Sequence, residues 1–120
     1  NYFFRKKYMD VKKRYDSLIQ RASEFESEKL IFFEYSGELS ISSDLSNELV
    51  YRNKGKYVAV VYKNGNIANV SMRGKNVKKI IENILKEIEG SGGGHEDAVG
   101  ARINVNDIGK FKQLLEKEIE

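Results

Sequence analysis

YVAVVYKNGNIANVSMR, residues 57–73, decides the fold. Two runs rich in β-branched and aromatic residues flank Asn64-Gly65, a pair that tolerates the positive φ angles of a type I′ turn, so the segment reads as a β-hairpin. The parity of its second strand divides the residues between two faces: Ala68, Val70 and Met72 on one, Asn69, Ser71 and Arg73 on the other. The apolar face needs a covering layer. The polar row is what a strand shows to water, and it is also what a binding surface needs.

The elements around the hairpin supply such a layer. KLIFFEYSG, residues 29–37, is a short apolar run closed by Ser36 and Gly37, as a buried strand would be. In SSDLSNELVYR, Ser42 or Ser43 is expected to cap a short helix that buries Leu45 and Leu49. After the hairpin, Asn76 is placed to cap NVKKIIENILKEIE, whose Val77, Ile80, Ile81, Ile84, Leu85 and Ile88 form a core-facing helical stripe. AVGARINV reads as a further strand. Asn106 or Asp107 then caps a last amphipathic helix carrying Phe111, Leu114, Leu115 and Ile119. Before all of these, Phe4, Tyr8, Val11, Tyr15, Leu18, Ala22 and Phe25 recur in steps of four and three, a heptad stripe on one long helix. The stripe is too narrow for a helix buried on all sides and suits a packing seam. The predicted order is α-β-α-β-β-α-β-α, an α+β or α/β sandwich with about four strands and helices packed on the sheet.

Composition restricts the possible functions. The chain has 120 residues, enough for one hydrophobic core, and its 40% apolar and 32% charged content is globular rather than disordered. With no cysteine, disulfides, thiolate metal sites and cysteine nucleophiles are excluded, and a reducing, cytoplasmic setting fits. No apolar run is long enough to suggest a membrane span, and the start lacks the apolar core of a signal peptide. The chain opens NYFFRKKYM, without an initiating methionine, as a piece of a longer protein would. The net charge of +3 is unevenly spread: Arg52, Lys54, Lys56, Lys63, Arg73, Lys75, Lys78 and Lys79 lie between Leu49 and Ile81 with no acidic residue among them. Such a stretch suits either a solvated face or an anionic partner. A second basic block, Arg5, Lys6, Lys7, Lys12, Lys13 and Arg14, reads as a solvated face.

GSGGGHEDAVGARI, residues 90–103, holds four glycines within five residues and then the only histidine. Read as a loop, it needs one glycine to end the preceding helix, which leaves Gly92, Gly93 and Gly94 without a capping task. Each costs conformational entropy on ordering. Backbone free of Cβ can turn its N–H groups towards an anion, and His95 beside it can donate to a phosphate oxygen or carry a proton. A flexible surface loop with an incidental histidine would show the same residues.

Gly92-Gly93-Gly94-His95 followed by Ala98, Val99 and Gly100 resembles the GGGH-x-x-A-A-G signature of the DHHA1 domain, the C-terminal substrate-binding domain of DHH-superfamily phosphoesterases. VSMRG, residues 70–74, is similar to the Ser-x-Arg strand motif of that family, carried here by Ser71 and Arg73. The likeness spans roughly residues 29–119. Val99 stands where a second alanine is usual, and Ser91 interrupts what is often a fourth consecutive glycine.

The resemblance implies a substrate-binding domain over 29–120 preceded by a connector helix over 1–28. It implies that Ser71, Arg73, Gly92, Gly93, Gly94 and His95 bind the phosphates of single-stranded nucleic acid or a nucleotide, with His95 available to stabilise a transition state; Asn69 joins them from the polar row of the hairpin. It implies a parent enzyme of the RecJ-like, nanoRNase-like or exopolyphosphatase-like kind, a metal-dependent phosphoesterase or exonuclease. Its manganese or magnesium would be held by a catalytic DHH domain of the same protein that this chain does not contain. The chain alone would be inactive. Two other readings stand beside this one. One is an RNA-binding module of the alanyl-tRNA-synthetase type, whose glycine loop lacks the histidine. The other is a non-catalytic interaction domain that self-associates through the heptad stripe.

Overall fold

The computed structural model describes residues Asn1 to Glu120. A single five-stranded sheet runs in the order β1-β2-β3-β5-β4. Strands β1 (Leu30–Tyr35) and β2 (Tyr57–Asn64) are parallel, joined by helix α2 (Ser42–Arg52). Strand β3 (Ile67–Arg73) returns antiparallel through a two-residue turn at Gly65-Asn66, one position later than expected. Asn64 is the last residue of β2, and of the two turn residues only Gly65 (φ 62°) is left-handed, so the type I′ turn expected at Asn64-Gly65, which needs positive φ at both central residues, does not form. Helix α3 (Val77–Ile84) then leads to a second antiparallel hairpin, β4 (Gly90–His95) and β5 (Ala98–Asn104), and β5 docks on β3. Helices α1 (Tyr2–Ala22) and α4 (Ile108–Ile119) begin and end the chain.

Helices cover the two faces unequally, and this difference creates the site. On one face α3 and α4 bury Val70, Met72, Val99 and Ile103 along with Ile81, Ile84, Phe111 and Leu115. On the other, α1 and α2 cover Ile31, Phe33, Val58 and Val60 with Leu18, Ala22, Leu45 and Leu49. That second cover stops near β3. Strands β1 and β2, enclosed on both sides, therefore carry almost unbroken apolar runs. Strand β3 alternates buried and half-buried positions and strand β5 mostly buried and exposed ones, because cover on their second face thins out from β3 to β5.

The glycine-rich segment is a strand and not a loop. It forms the sheet edge, all six residues exposed, paired with β5 from Gly90 opposite Ile103 to His95 opposite Ala98. A Cβ on Gly92 would come within 2.8 Å of the Gly100 carbonyl oxygen, and one on Gly94 within 2.6 Å of that of Ala98. Gly94 also holds φ at +150°. Close approach of the two strands, rather than chain reversal, requires these residues.

Three expected caps take other forms. Ser42 lies in the first turn of α2, but its hydroxyl is 2.7 Å from that of Tyr35, and Ser43 Oγ faces a guanidinium from β3, so neither caps the helix. Asn76 does precede α3, but it is left-handed (φ 60°), makes no side-chain cap and gives its backbone N–H to Asp97 Oδ1 at 3.0 Å. Asp107 precedes α4 without a side-chain cap, and it is Asn104 Oδ1 that accepts from Asn106 N–H, one turn earlier. The heptad stripe of α1 packs only through its C-terminal half. Leu18, Ile19 and Ala22 are buried, whereas Phe4, Tyr8 and Val11 stay exposed.

Candidate phosphate-binding trough

Strand register aligns three rows of residues on the open face. Arg73 pairs with Ala98, which pairs with His95; Ser71 with Gly100 and Gly93; Asn69 with Arg102 and Ser91. Directly opposed residues in antiparallel strands project to the same side, so Arg73 and His95 share a face, separated by the small side chain of Ala98. The central row has no side chain beyond the Ser71 hydroxyl. Gly93 and Gly100 make a bare floor, and a Cβ on Gly93 would meet nothing within 4 Å. The result is a trough with α2 as one wall and the β4 edge as the other side.

Helix α2 sets the side chains of that floor. Arg73 Nε donates to Asn47 Oδ1 at 2.7 Å and Nη2 to Ser43 Oγ at 3.2 Å, while Nη1 reaches the Met72 carbonyl at 2.8 Å. Ser46, the one polar residue in the buried set, lies 2.9 Å from the Ser71 hydroxyl. Every acceptor around Arg73 is neutral. Burial lowers the pKa of its guanidinium from the ordinary value, with no carboxylate to offset the loss of hydration. A half-buried, charged guanidinium with only neutral partners favours an arriving anion.

His95 is held by its backbone. The hairpin turn that follows is tied to the β3–α3 connection: Gly74 N–H donates to the Asp97 carbonyl and Lys78 N–H to that of Glu96, each at 3.1 Å. The Gly74 bond also fixes the direction of the ladder. Alternation along β5 turns the backbone groups of 98, 100 and 102 towards β4, which engages His95, Gly93 and Ser91 and leaves those of Gly92 and Gly94 on the free edge. The cradle of three converging N–H groups expected from the sequence therefore does not form, because neighbouring residues of an extended strand point in opposite directions. Two outward N–H groups and a bare floor take its place.

Sequence reasoning brought Asn69, Ser71, Arg73, Gly93 and His95 to this face, with Gly92 and Gly94 along its rim. It missed Ser43, Ser46 and Asn47, and also Arg102. The spacing of Ser43 and Asn47, one helical turn apart beside Leu45 and Leu49, is the signal for the first group. For Arg102 the signal is parity, since Ala98, Gly100 and Arg102 alternate with buried Val99, Ala101 and Ile103. The basic stretch is also less open than its sequence suggests: Lys56 pairs with Glu26, Lys63 with Glu34 and Arg52 with Glu48. Arg73 and Lys75 form no ion pair and line a cavity of about 700 Å³ at the His95 end of the trough, together with Tyr57, Asn76 and the carboxylates Glu96 and Asp97.

No group of three or more His, Cys, Asp or Glu side chains that could hold a metal ion exists in the chain, so these residues do not fit a catalytic metal centre. No helix is long and apolar enough to cross a membrane.

The DHHA1 domain family model matches residues 29–120. No curated protein matches the chain. Among solved structures, the fold is similar to the C-Ala domain of Aquifex aeolicus alanyl-tRNA synthetase, at 22% identity and a TM-score of 0.62, over 76% of this chain and 88% of that one. It is similar to RecJ in complex with Mn2+ from Thermus thermophilus, at 10% identity and a TM-score of 0.70, over 89% of this chain but 16% of RecJ. It is also similar to the DHH domain of a member of the s1p family of ribosomal proteins, at 16% identity and a TM-score of 0.56, over 95% of this chain and 32% of that one.

Proposed function

The chain belongs to the DHHA1 domain family, and on that basis we propose that it is the substrate-binding part of a DHH-type phosphoesterase. In this reading the trough binds the phosphates of short single-stranded nucleic acid or of a nucleotide. Hydrolysis, with the manganese or magnesium it needs, belongs to a catalytic DHH domain of the same protein outside this chain. What this chain contributes is capture and orientation.

The supporting observation is Arg73, a partly buried guanidinium fixed by neutral groups on the same sheet face as His95. A planar guanidinium can hold two oxygens of one phosphate, which a lysine would do with less direction. The Asn69 amide supplies a further donor along the strand, and the Ser71 hydroxyl another once it turns from Ser46, to which it donates in the absence of ligand. Gly93 and Gly100 let the phosphate backbone lie against the sheet, and the outward N–H groups of Gly92 and Gly94 meet oxygens passing over the edge. His95, across the row from Arg73, donates to the phosphate to be cleaved and stabilises charge there as the bond breaks.

Titration of the isotope-labelled chain with a 5′-phosphorylated trinucleotide at two salt concentrations tests this reading. Binding should perturb the amides of β3, β4 and β5, weaken with salt, and fall about tenfold or more in Arg73→Ala and His95→Ala without loss of fold. Perturbations confined to the helices, or variants that bind as well as wild type, would refute it. The likeness to the alanyl-tRNA synthetase domain favours a second reading, an RNA-binding module, which predicts tight binding of a folded tRNA and insensitivity to His95→Ala.

A further inference from the structure

The trough continues well past the Arg73–His95 row, and the far end carries a charge of its own. Arg102 on β5 sits between Asn69 on β3 and Ser91 on β4, on the same face as Arg73 and His95. Its side chain is exposed and makes no ion pair or hydrogen bond with the protein, so its charge is available to a ligand. A shallow cavity of about 330 Å³ lined by Asn69, Ser91, Gly92, Gly100 and Arg102 joins it to the glycine floor. The two rows lie four positions apart along each strand, roughly 14 Å.

We propose that Arg102, with Asn69 and Ser91, is a second anion-binding station, so that the trough selects an oligonucleotide strand over a mononucleotide. This rests on the phosphate-binding reading of the first row and adds a length requirement to it. The gap between the rows is too wide for adjacent phosphates joined through a single sugar, so the two stations engage phosphates separated by at least one other. Between them the floor is Gly93 and Gly100, without side chains, and the intervening nucleotide passes over it unobstructed. The stretch offers no aromatic ring for stacking, so the recognition is of the backbone and tolerates any base.

A length series tests it. The 120-residue chain is titrated with a nucleoside 5′-monophosphate and with 5′-phosphorylated di-, tri- and tetranucleotides, and affinities are read from amide shifts. Wild type should gain about fivefold or more at the length that first places a phosphate on Arg102. Arg102→Ala should lose that step, lower the salt dependence for the longer strands by about 0.7 in log–log slope, and bind the monophosphate as wild type does. Arg102→Lys should recover part of the step. The proposal is overturned if Arg102→Ala keeps the length dependence, or if it weakens all lengths equally. Binding of the monophosphate that disappears in Arg73→Ala, with no length step in wild type, would keep the first station and eliminate the second. Wild type that binds none of the ligands would remove both.

Discussion

Arg73 Nε and Asn47 Oδ1 meet at 2.7 Å across the junction of β3 and α2, 26 residues apart in sequence. This bond fixes the plane of a guanidinium whose Nη2 is held in turn by Ser43. Asn47→Ala should therefore cost less than Arg73→Ala in oligonucleotide affinity, about three- to tenfold, and should change the melting temperature little because the residue is exposed. In the Arg73→Ala background the same change should have no further effect on affinity. A double-mutant cycle measured by calorimetry checks this: additive losses would mean that Asn47 acts independently of Arg73.

The three glycines before His95 should separate into two kinds. Gly92→Ala and Gly94→Ala place a Cβ against the β5 backbone and should destabilise the fold by about 1–3 kcal/mol in urea unfolding. Gly93→Ala meets nothing within 4 Å and should leave stability within about 1 kcal/mol of wild type, while its methyl group intrudes on the trough floor and weakens ligand binding. Equal stability losses at all three positions would contradict the edge-strand geometry.

Docking of α1 should be sensitive to alkali. Burial, and then a hydrogen bond to Glu48, raise the pKa of the Tyr15 hydroxyl well above its ordinary 10.0. The folded state thus holds the Tyr15 proton more tightly than the unfolded chain does. The resulting stability is complete below pH 10.0, the unfolded value, and is lost as pH rises from there through the folded pKa. Unfolding at pH 8 and pH 11 should show a smaller alkaline loss for Tyr15→Phe than for wild type.

The amino-acid order alone carried everything set within a few residues. The hairpin and its Gly65 were legible, though the turn falls at Gly65-Asn66 and not at Asn64-Gly65; period-two alternation put Asn69, Ser71 and Arg73 on one face of β3, and the stripe from Val77 to Ile84 gave α3 its buried side. The glycine-histidine run and the Ser-x-Arg pair carried the family. Gly90 to Gly94 could not be read as a strand, because glycine has little β preference and no side chains to alternate. It took the packed chain to show that this segment pairs with β5, that Asn47 and Ser43 orient Arg73, that Lys56 and Lys63 are neutralised by Glu26 and Glu34, and that Arg102 shares a face with His95. Local periodicity sets which way each residue faces along its own strand or helix. Which strands lie side by side, and which charges then meet, depends on how the covering helices pack.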